Sequence, residues 1–253
     1  MTIPSDRTSS LSGGAPRDPR AQALTPTALQ SRKVASSATY LDSTLKLFPG
    51  VTIPLRAMMV ANGERQILIS PIGTSEEADQ VDATPLTVVA PSLLHHLHLE
   101  AAIERYRPVA LWGPPGLVEA HPDLGPAHVF GVDPWPHADQ LEVEVVAGAP
   151  KRNEVVFFHK ASRTIYTADL AFNIREPHGF LTPLTFRLMG IYRRFAVAKP
   201  WRRWVTDRAA FARSIDRILA WDFERIVVAH GDAVEHNARA QLIAALREVE
   251  LLR

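Results

Sequence analysis

The stretch PLTVVAPSLLHHLHLE, Pro85–Glu100, is the most informative part of this sequence. The apolar run Leu86–Ala90 is typical of a buried strand, and Ser92 just after it is a residue type that caps helices. Three imidazoles then fall within four positions: His95, His96 and His98. Because α/β proteins commonly bind ligands at the carboxyl ends of strands, the stretch predicts a strand that leads into a functional site.

Spacing leaves open which of the three imidazoles act together. On a helix, His95 and His98 lie on one face, whereas on an extended segment His96 and His98 do. The adjacent pair His95 and His96 can meet one centre only from an irregular loop. Neutral imidazole is the commonest metal ligand in proteins, so the cluster predicts a metal or catalytic site.

Two further strands end in groups of the same chemistry. The segment TIYTADLAFN, Thr164–Asn173, places Asp169 after a strand, and RIVVAHGD, Arg225–Asp232, ends in His230. A buried carboxylate needs a partner, although Asp169 could instead cap a helix. Asp232 could orient His230 through its second ring nitrogen, or the segment could be an ordinary glycine turn. Polar groups at three strand ends together predict a metal or acid–base centre.

Composition limits the other possibilities. The chain has 253 residues, of which 46% are hydrophobic and 22% charged, and it contains no cysteine. Disulfides, thiolate metal sites and cysteine nucleophiles are therefore excluded. A net charge of +1 gives no global field that favours nucleic acid or membranes, and no apolar run approaches the roughly 20 residues of a membrane span. With no signal-like start, the expected location is cytoplasmic.

The chain divides into two regions. Residues 1–38 are rich in Ser, Thr, Pro and Gly and lack apolar periodicity, which predicts a flexible tail, with an organellar transit peptide as the alternative. Residues 39–253 predict a single α/β domain, with helical periodicity near residues 99–106, 211–219 and 242–249. The pair Asn62-Gly63 predicts a hairpin turn. The predicted strands are Ala57–Val60, Gln66–Ser70, Leu86–Ala90, Val109–Trp112, Leu141–Ala147, Glu154–His159, Thr164–Ala168 and Arg225–Ala229.

The order of these segments resembles the metallo-β-lactamase superfamily. QILISPIG, Gln66–Gly73, stands where that family has an early strand ending in I-D-x-G, and Pro85–Glu100 stands in place of its H-x-H-x-D-H strand. The hairpin that leads to Asp169 and the strand that leads to His230 match its later G-D and His-Gly ends. The resemblance covers the chain from about Leu45 onward and implies an αβ/βα four-layer sandwich.

A closer resemblance is to an uncharacterised subgroup of that superfamily, a domain of unknown function in bacteria and plants. Five segments carry it: APSLLHHL (Ala90–Leu97), GPPGL (Gly113–Leu117), NEVVFFH (Asn153–His159), SRTIYTADLAFN (Ser162–Asn173) and AHG (Ala229–Gly231). These segments imply the fold more strongly than they imply an activity.

Departures from the family motif bear on the metal. H-x-H-x-D-H is not intact, and Gly148-Ala149-Pro150 stands where the family has its middle histidine, so the resemblance implies that the first zinc site is lost. The retained groups imply one metal site formed by Asp169, His230 and either His95 or His96, with His98 as a further candidate. Zinc is the expected ion, and iron and manganese also bind such ligands.

Other residues rank lower as site candidates. Glu154, His159 and His178 are expected to be structural. The run YRRFAVAKPWRRW, Tyr192–Trp204, is basic with interleaved aromatics, which is more typical of a solvated face than of a nucleic-acid site.

The sequence therefore predicts a metal-dependent hydrolase in which His95, His96, Asp169 and His230 are the catalytic and metal-binding residues. The substrate is expected to be a small molecule with an ester, thioester, amide or phosphodiester bond, and neither nucleic acid nor a membrane is expected as a partner. The alternative is a metal-free binding or scaffold protein on the same fold, because a fold does not fix a function. The sequence gives no oligomeric state.

Overall fold

The computed structural model describes residues 30–35, 37–62, 65–73, 87–107 and 110–252. The strands of these ranges are β1 (Gln30–Ala35), β2 (Ala38–Phe48), β3 (Val51–Asn62), β4 (Arg65–Ile69), β5 (Thr87–Val89), β6 (Ala110–Gly113), β7 (His128–Val129), β8 (Leu141–Val145), β9 (Val155–His159), β10 (Thr164–Thr167), β11 (Phe172–Asn173), β12 (Phe195–Ala196) and β13 (Arg225–Val228). The α-helices are α1 (Leu99–Arg105), α2 (Leu117–Ala120), α3 (Thr182–Met189), α4 (Trp201–Trp204), α5 (Arg208–Ala220) and α6 (Ala238–Glu248).

Two main sheets organise the described residues. The first has seven strands in chain order, β1 to β7. Its strands pair antiparallel from β1 to β4 and parallel from β4 to β7. The second has the order β13-β10-β9-β8, in which β10 and β13 are parallel and the other pairs antiparallel. A small pair, β11 with β12, forms a third sheet, and Asn173 of β11 is bridged to Gly231 beyond the end of β13.

Alternation along the strands packs the two sheets face to face. In β3, Met58 and Val60 belong to one buried cluster with Phe157 and Tyr166 of the second sheet, whereas Met59 belongs to the other buried cluster. Successive side chains of a strand point to opposite faces, so each central strand contributes to both clusters. One cluster therefore fills the space between the sheets.

The helices cover the outer faces. Helix α1 contacts β5 of the first sheet, while α5 contacts β8 and α6 contacts β13 of the second. Their apolar stripes are fully buried, as Leu99 in α1, Ile215 in α5 and Leu246 in α6 show. A helix buries one apolar stripe against a sheet in this way, and the result is the four-layer order of helix, sheet, sheet and helix.

The predicted elements correspond closely to the observed ones. The three helices found by periodicity are present, and β3 and β4 form the predicted antiparallel hairpin, although Gly63 of its turn lies outside the described residues. The hairpin that leads to Asp169 is present as the antiparallel pair β9 and β10. Helices α2, α3 and α4 were not predicted, because α2 and α4 have only four residues each and α3 carries Leu184 and Leu188 on its exposed side, which blurs its apolar stripe.

The start of the domain differs from the predicted boundary at residue 38. Strand β1, Gln30–Ala35, pairs antiparallel with β2 and so belongs to the first sheet. The prediction weighed only the burial of side chains, whereas an edge strand is also held by backbone hydrogen bonds. Residues 1–29, which make up most of the predicted tail, lie outside the described residues.

No helix within the described ranges could cross a membrane. The longest, α5, has 13 residues, whereas a bilayer span requires about 20 predominantly apolar ones.

Candidate metal centre

Three strand ends converge on one centre. His95 lies in the turns that follow β5, Asp169 follows β10, and His230 follows β13. The Nε2 atom of His95 lies 3.6 Å from Oδ2 of Asp169, and Nε2 of His230 lies 3.5 Å from Oδ1. One potential ligand atom from each of the three residues lies within 4.8 Å of the other two. Two imidazoles and a carboxylate therefore face a common point.

Each imidazole is oriented by a bond to its other nitrogen. Nδ1 of His230 lies 2.9 Å from the backbone oxygen of Pro54, and Nδ1 of His95 lies 2.7 Å from the hydroxyl of Ser70. Since a carbonyl oxygen can only accept, Nδ1 of His230 carries a proton, and Nε2 is the nitrogen that faces the centre. Metal-binding histidines are held in this manner.

Asp169 is buried and strongly held. Its Oδ2 accepts a hydrogen bond from the hydroxyl of Ser92 at 3.1 Å, and its backbone oxygen accepts one from Nε1 of Trp201 at 2.8 Å. Burial alone would raise the pKa of Asp169, but the charges and hydrogen bonds of His95 and His230 outweigh it and hold the pKa well below its usual value. The carboxylate is therefore ionised and available as a ligand.

Glu154 supports the backbone of the aspartate. Its side chain is fully buried and accepts hydrogen bonds from the hydroxyl of Thr167 at 2.5 Å and from the backbone N–H groups of Ala168 and Asp169, both at 2.9 Å. Burial, and then the charge of Asp169, raise the pKa of Glu154 to about 8. The expectation that Glu154 is structural is consistent with these contacts, and its structural role is to position a site residue.

A glycine turn presents His230. Gly231 has φ +119°, and a Cβ atom there would lie 2.2 Å from the backbone oxygen of Asn173, so only glycine fits. Nη1 of Arg56 donates to the Gly231 oxygen at 2.8 Å. The prediction that Asp232 orients His230 is wrong, because the Pro54 carbonyl already occupies Nδ1.

The turns after β5 determine which of the three clustered histidines faces the centre. Only His95 of the three contributes to the convergent set. The His96 ring stacks on His121 with 3.7 Å between ring centroids, and its Nδ1 lies 3.0 Å from the Leu93 oxygen. His98 lines the same cavity as His95 but immediately precedes α1, outside the convergent set. His96 and His98 are therefore not placed as ligands by this geometry.

Three other sequence candidates are not part of the convergent set: Ser92, His159 and His178. Ser92 was expected to cap a helix, but turns follow it and α1 begins seven residues later. Its hydroxyl accepts from the backbone N–H of Leu94 at 3.2 Å and donates to Asp169. His159 is buried, with its ring nitrogens next to the hydroxyls of Ser162 and Ser37. His178 lines a different cleft. The signal that could have indicated Ser92 as a site residue is its position directly after the strand.

An apolar cavity of about 270 Å³ opens onto the centre. Besides the three convergent residues, its walls include Leu45, Leu55, Ile72, Phe172, Met189 and Trp204. The guanidinium of Arg152 also lines it and stacks over Trp204, with its carbon 3.4 Å from the ring centroid. Burial lowers the pKa of Arg152, although the nearby charges of Asp169 and Glu154 oppose the shift. Sequence reasoning missed Arg152, because no motif marked it.

The donor set fits one divalent ion. Two imidazole nitrogens and one carboxylate are a three-ligand set that leaves a coordination position open, as in catalytic zinc sites. His and carboxylate ligands also suit iron and manganese, so the donors alone do not select the metal. In the stretch Gly148-Ala149-Pro150, the Gly148 oxygen accepts backbone hydrogen bonds from Thr206 and Asp207, so the stretch provides a structural contact and no ligand side chain.

Solved structures similar to this chain are metallo-β-lactamases. The metallo-β-lactamase from Pontibacter korlensis has 16% identity and a TM-score of 0.59, with 87% of this chain and 99% of that chain covered. The enzyme from Erythrobacter litoralis has 16% identity and a TM-score of 0.59, covering 87% and 97%. FIM-1 from Pseudomonas aeruginosa, in its mono-zinc form, has 13% identity and a TM-score of 0.61, covering 88% and 96%.

The comparisons establish the fold. No protein-family model matches the chain, and no curated protein does. Identities of 16% or less to the solved structures show a shared architecture and do not show a shared substrate. The predicted αβ/βα sandwich is thereby confirmed: the chain has the metallo-β-lactamase fold.

Proposed function

We propose that this protein is a metal-dependent hydrolase in which His95, Asp169 and His230 hold one divalent ion. The observation that carries the proposal is the convergence of these three residues from three separate strand ends. The orientation of both imidazoles through Nδ1 supports it, because such bonds leave both Nε2 atoms directed at the centre. Zinc is the proposed ion.

The chain's own residues define what the site can do. The apolar walls of the cavity bind the body of a small substrate and exclude water from it. The Arg152 guanidinium, held against Trp204, can bind an oxygen of the substrate that carries negative charge. A bound divalent ion would supply Lewis acidity and lower the pKa of a water molecule at the open coordination position. Hydrolysis of an ester, thioester, amide or phosphodiester fits this set.

Metal content tests the proposal. The purified protein is expected to hold about one equivalent of zinc or iron, or to bind it on reconstitution. Asp169→Ala and His230→Ala are expected to lose it, whereas His96→Ala, which changes the neighbouring imidazole outside the centre, is expected to keep it. Chromogenic substrates of the four bond types then identify the reaction.

Two results would count against a hydrolase. One is a metal-free protein that cannot be reconstituted and whose stability is unchanged by chelator. The other is equal metal binding by His96→Ala and Asp169→Ala. The first favours the alternative, a metal-free binding or scaffold protein on the same fold, which the closeness of the Arg152 charge to Asp169 also supports. The second would place the metal outside the proposed centre. The uncharacterised subgroup and a cytoplasmic location stay predictions from the sequence.

A further inference from the structure

Exposed apolar side chains are concentrated on one face of the described residues. The described residues expose nine large apolar side chains, of which Val132, after the edge strand β7, lies outside this face. The other eight, which we call the apolar face, belong to the β2–β3 tip, the loop before α1 and the region of α3: Leu47, Phe48, Leu94, Leu97, Phe180, Leu181, Leu184 and Leu188.

The three segments of the apolar face meet at the mouth of the cavity. Leu47, Leu94 and Leu97 line it together with Met189, the last residue of α3. The backbone N–H of Leu181, just before α3, donates to the oxygen of Gly50 in the β2–β3 turn at 2.9 Å. The apolar face therefore surrounds the entrance to the candidate metal centre.

Folding does not explain the exposed side of α3. The helix buries Thr182 and Phe186 against the domain, as an amphipathic helix does. Its other side carries Leu184 and Leu188, which are four residues apart and 59% and 71% exposed. Residues at this spacing form one stripe, and exposed apolar patches of this kind mark sites of interaction with a partner.

Basic residues border the apolar face. The 30 residues 177–206 contain no Asp or Glu, and their six Lys and Arg side chains are all exposed: Arg187, Arg193, Arg194, Lys199, Arg202 and Arg203. Glu248 and Glu250 pair with Arg194 and Arg202, and the other four have no ion pair with an acidic side chain of the described residues. Leu188 lines a cleft together with Lys199 and Arg203, so the apolar and basic residues are continuous.

We propose that the apolar face and its basic border dock on an anionic membrane surface. In such docking, apolar side chains enter the boundary between headgroups and acyl chains, while cations meet the anionic headgroups. No membrane was expected from the sequence, and the basic run Tyr192–Trp204 was interpreted as a solvated face, because the exposed leucines lie beside it only in the folded protein. Docking would place the mouth of the cavity against the lipid.

Other occupants fit the face less well. A nucleic acid would use the cations and leave the apolar face in water. A second copy of this chain, bound by a two-fold axis, would bring the same basic border against itself, and like charges would oppose the contact. An anionic lipid surface complements both parts at once.

Co-sedimentation with vesicles tests the proposal on the full chain. Vesicles of phosphatidylcholine with phosphatidylglycerol are compared with vesicles of phosphatidylcholine alone, at low and high salt. Binding is expected only to the anionic vesicles and is expected to weaken with salt. The double variant Leu184→Glu/Leu188→Glu is expected to lower the partition coefficient more than about tenfold, and Arg203→Gln roughly fivefold.

Matched controls are available in exposed residues elsewhere. Val132→Glu introduces one carboxylate outside the apolar face, which is half the charge change of the double leucine variant, and Arg65→Gln removes an exposed cation at the start of β4. Both are expected to sediment like the native chain. The proposal fails if the native chain does not bind anionic vesicles, binds neutral ones equally, or binds equally after the leucine changes.

The native chain and its variants also test the other possible partners of the apolar face. A dimer in analytical ultracentrifugation that Leu184→Glu/Leu188→Glu dissociates, without vesicle binding, would assign the face to a second copy and overturn membrane docking. Binding to a DNA duplex without vesicle binding would overturn it as well. Because sedimentation requires no metal and no turnover, its outcome is independent of the proposed hydrolase activity.

Discussion

Replacement of Glu154 by glutamine tests whether this residue positions the metal centre, because it leaves every ligand side chain unchanged. The buried carboxyl accepts three hydrogen bonds, two at Oε1 from Thr167 and Ala168 and one at Oε2 from Asp169. Because its pKa is raised to about 8, the group is largely protonated and neutral at pH 7, and glutamine is close to it in shape and charge. Glu154→Gln is expected to weaken metal binding without touching a ligand side chain.

The magnitude follows from the lost acceptor. The glutamine oxygen can keep the two bonds at Oε1, whereas its NH₂ group would face the backbone N–H of Asp169, donor against donor. One buried N–H without an acceptor costs roughly 1–3 kcal/mol of unfolding free energy. Loss of a group that orients a ligand lowers metal affinity roughly 10–100-fold. Glu154→Leu leaves all three donors without an acceptor and is expected to cost about 3 kcal/mol or more.

Two measurements check this prediction. Competition against a chromophoric chelator gives the zinc affinity, and urea unfolding of the metal-free protein gives the stability. Glu144→Gln is the matched control, since Glu144 lies in β8, its side chain is only 13% exposed and pairs with Arg217, and it is not one of the convergent residues. If Glu154→Gln and Glu144→Gln bind zinc with affinities within about twofold of each other, Glu154 does not position the site.

Two further predictions concern the turn and the buried histidines. Gly231→Ala is expected to displace His230, because the new Cβ would overlap the Asn173 oxygen, and isothermal titration should show weaker zinc binding; unchanged binding would disprove the constraint. Burial lowers the pKa of His137 and of His159, so below pH 6.5 the unfolded chain binds protons that the folded chain does not. Stability should therefore fall as pH decreases from 7 through the range below 6.5. Urea midpoints of the native chain that do not change with pH would contradict this, and so would a pH dependence in His137→Gln equal to that of the native chain.

Several features of the fold could be predicted from the sequence because they depend on local pattern. Apolar runs such as Val155–His159 formed strands, and periodicity of 3.6 residues marked the helices around Leu99, Ile215 and Leu246. The three strand ends that carry site residues were also identified in this way. Helix α3 was missed, because leucines on its exposed side as well as Phe186 on its buried side blur the amphipathic pattern.

Contacts between distant segments could not be predicted. The choice of His95 over His96 depends on the turn that aims one ring at Asp169 and stacks the other on His121. The pairing of Nδ1 of His230 with the Pro54 oxygen joins residues 176 positions apart, so the adjacent Asp232 was the natural but wrong partner. Arg152 carried no motif, and only its packing against Trp204 places it in the cavity.

The sequence by itself determined the layered α/β fold and the three strand ends at which polar chemistry occurs, because strand and helix patterns are local properties of the chain. Only the tertiary structure decided which imidazole joins Asp169 and His230, and that the exposed leucines of α3 lie beside a basic border at the mouth of the cavity. Those facts depend on distances between residues far apart in sequence, and such distances are fixed only when the two sheets and their helices pack together.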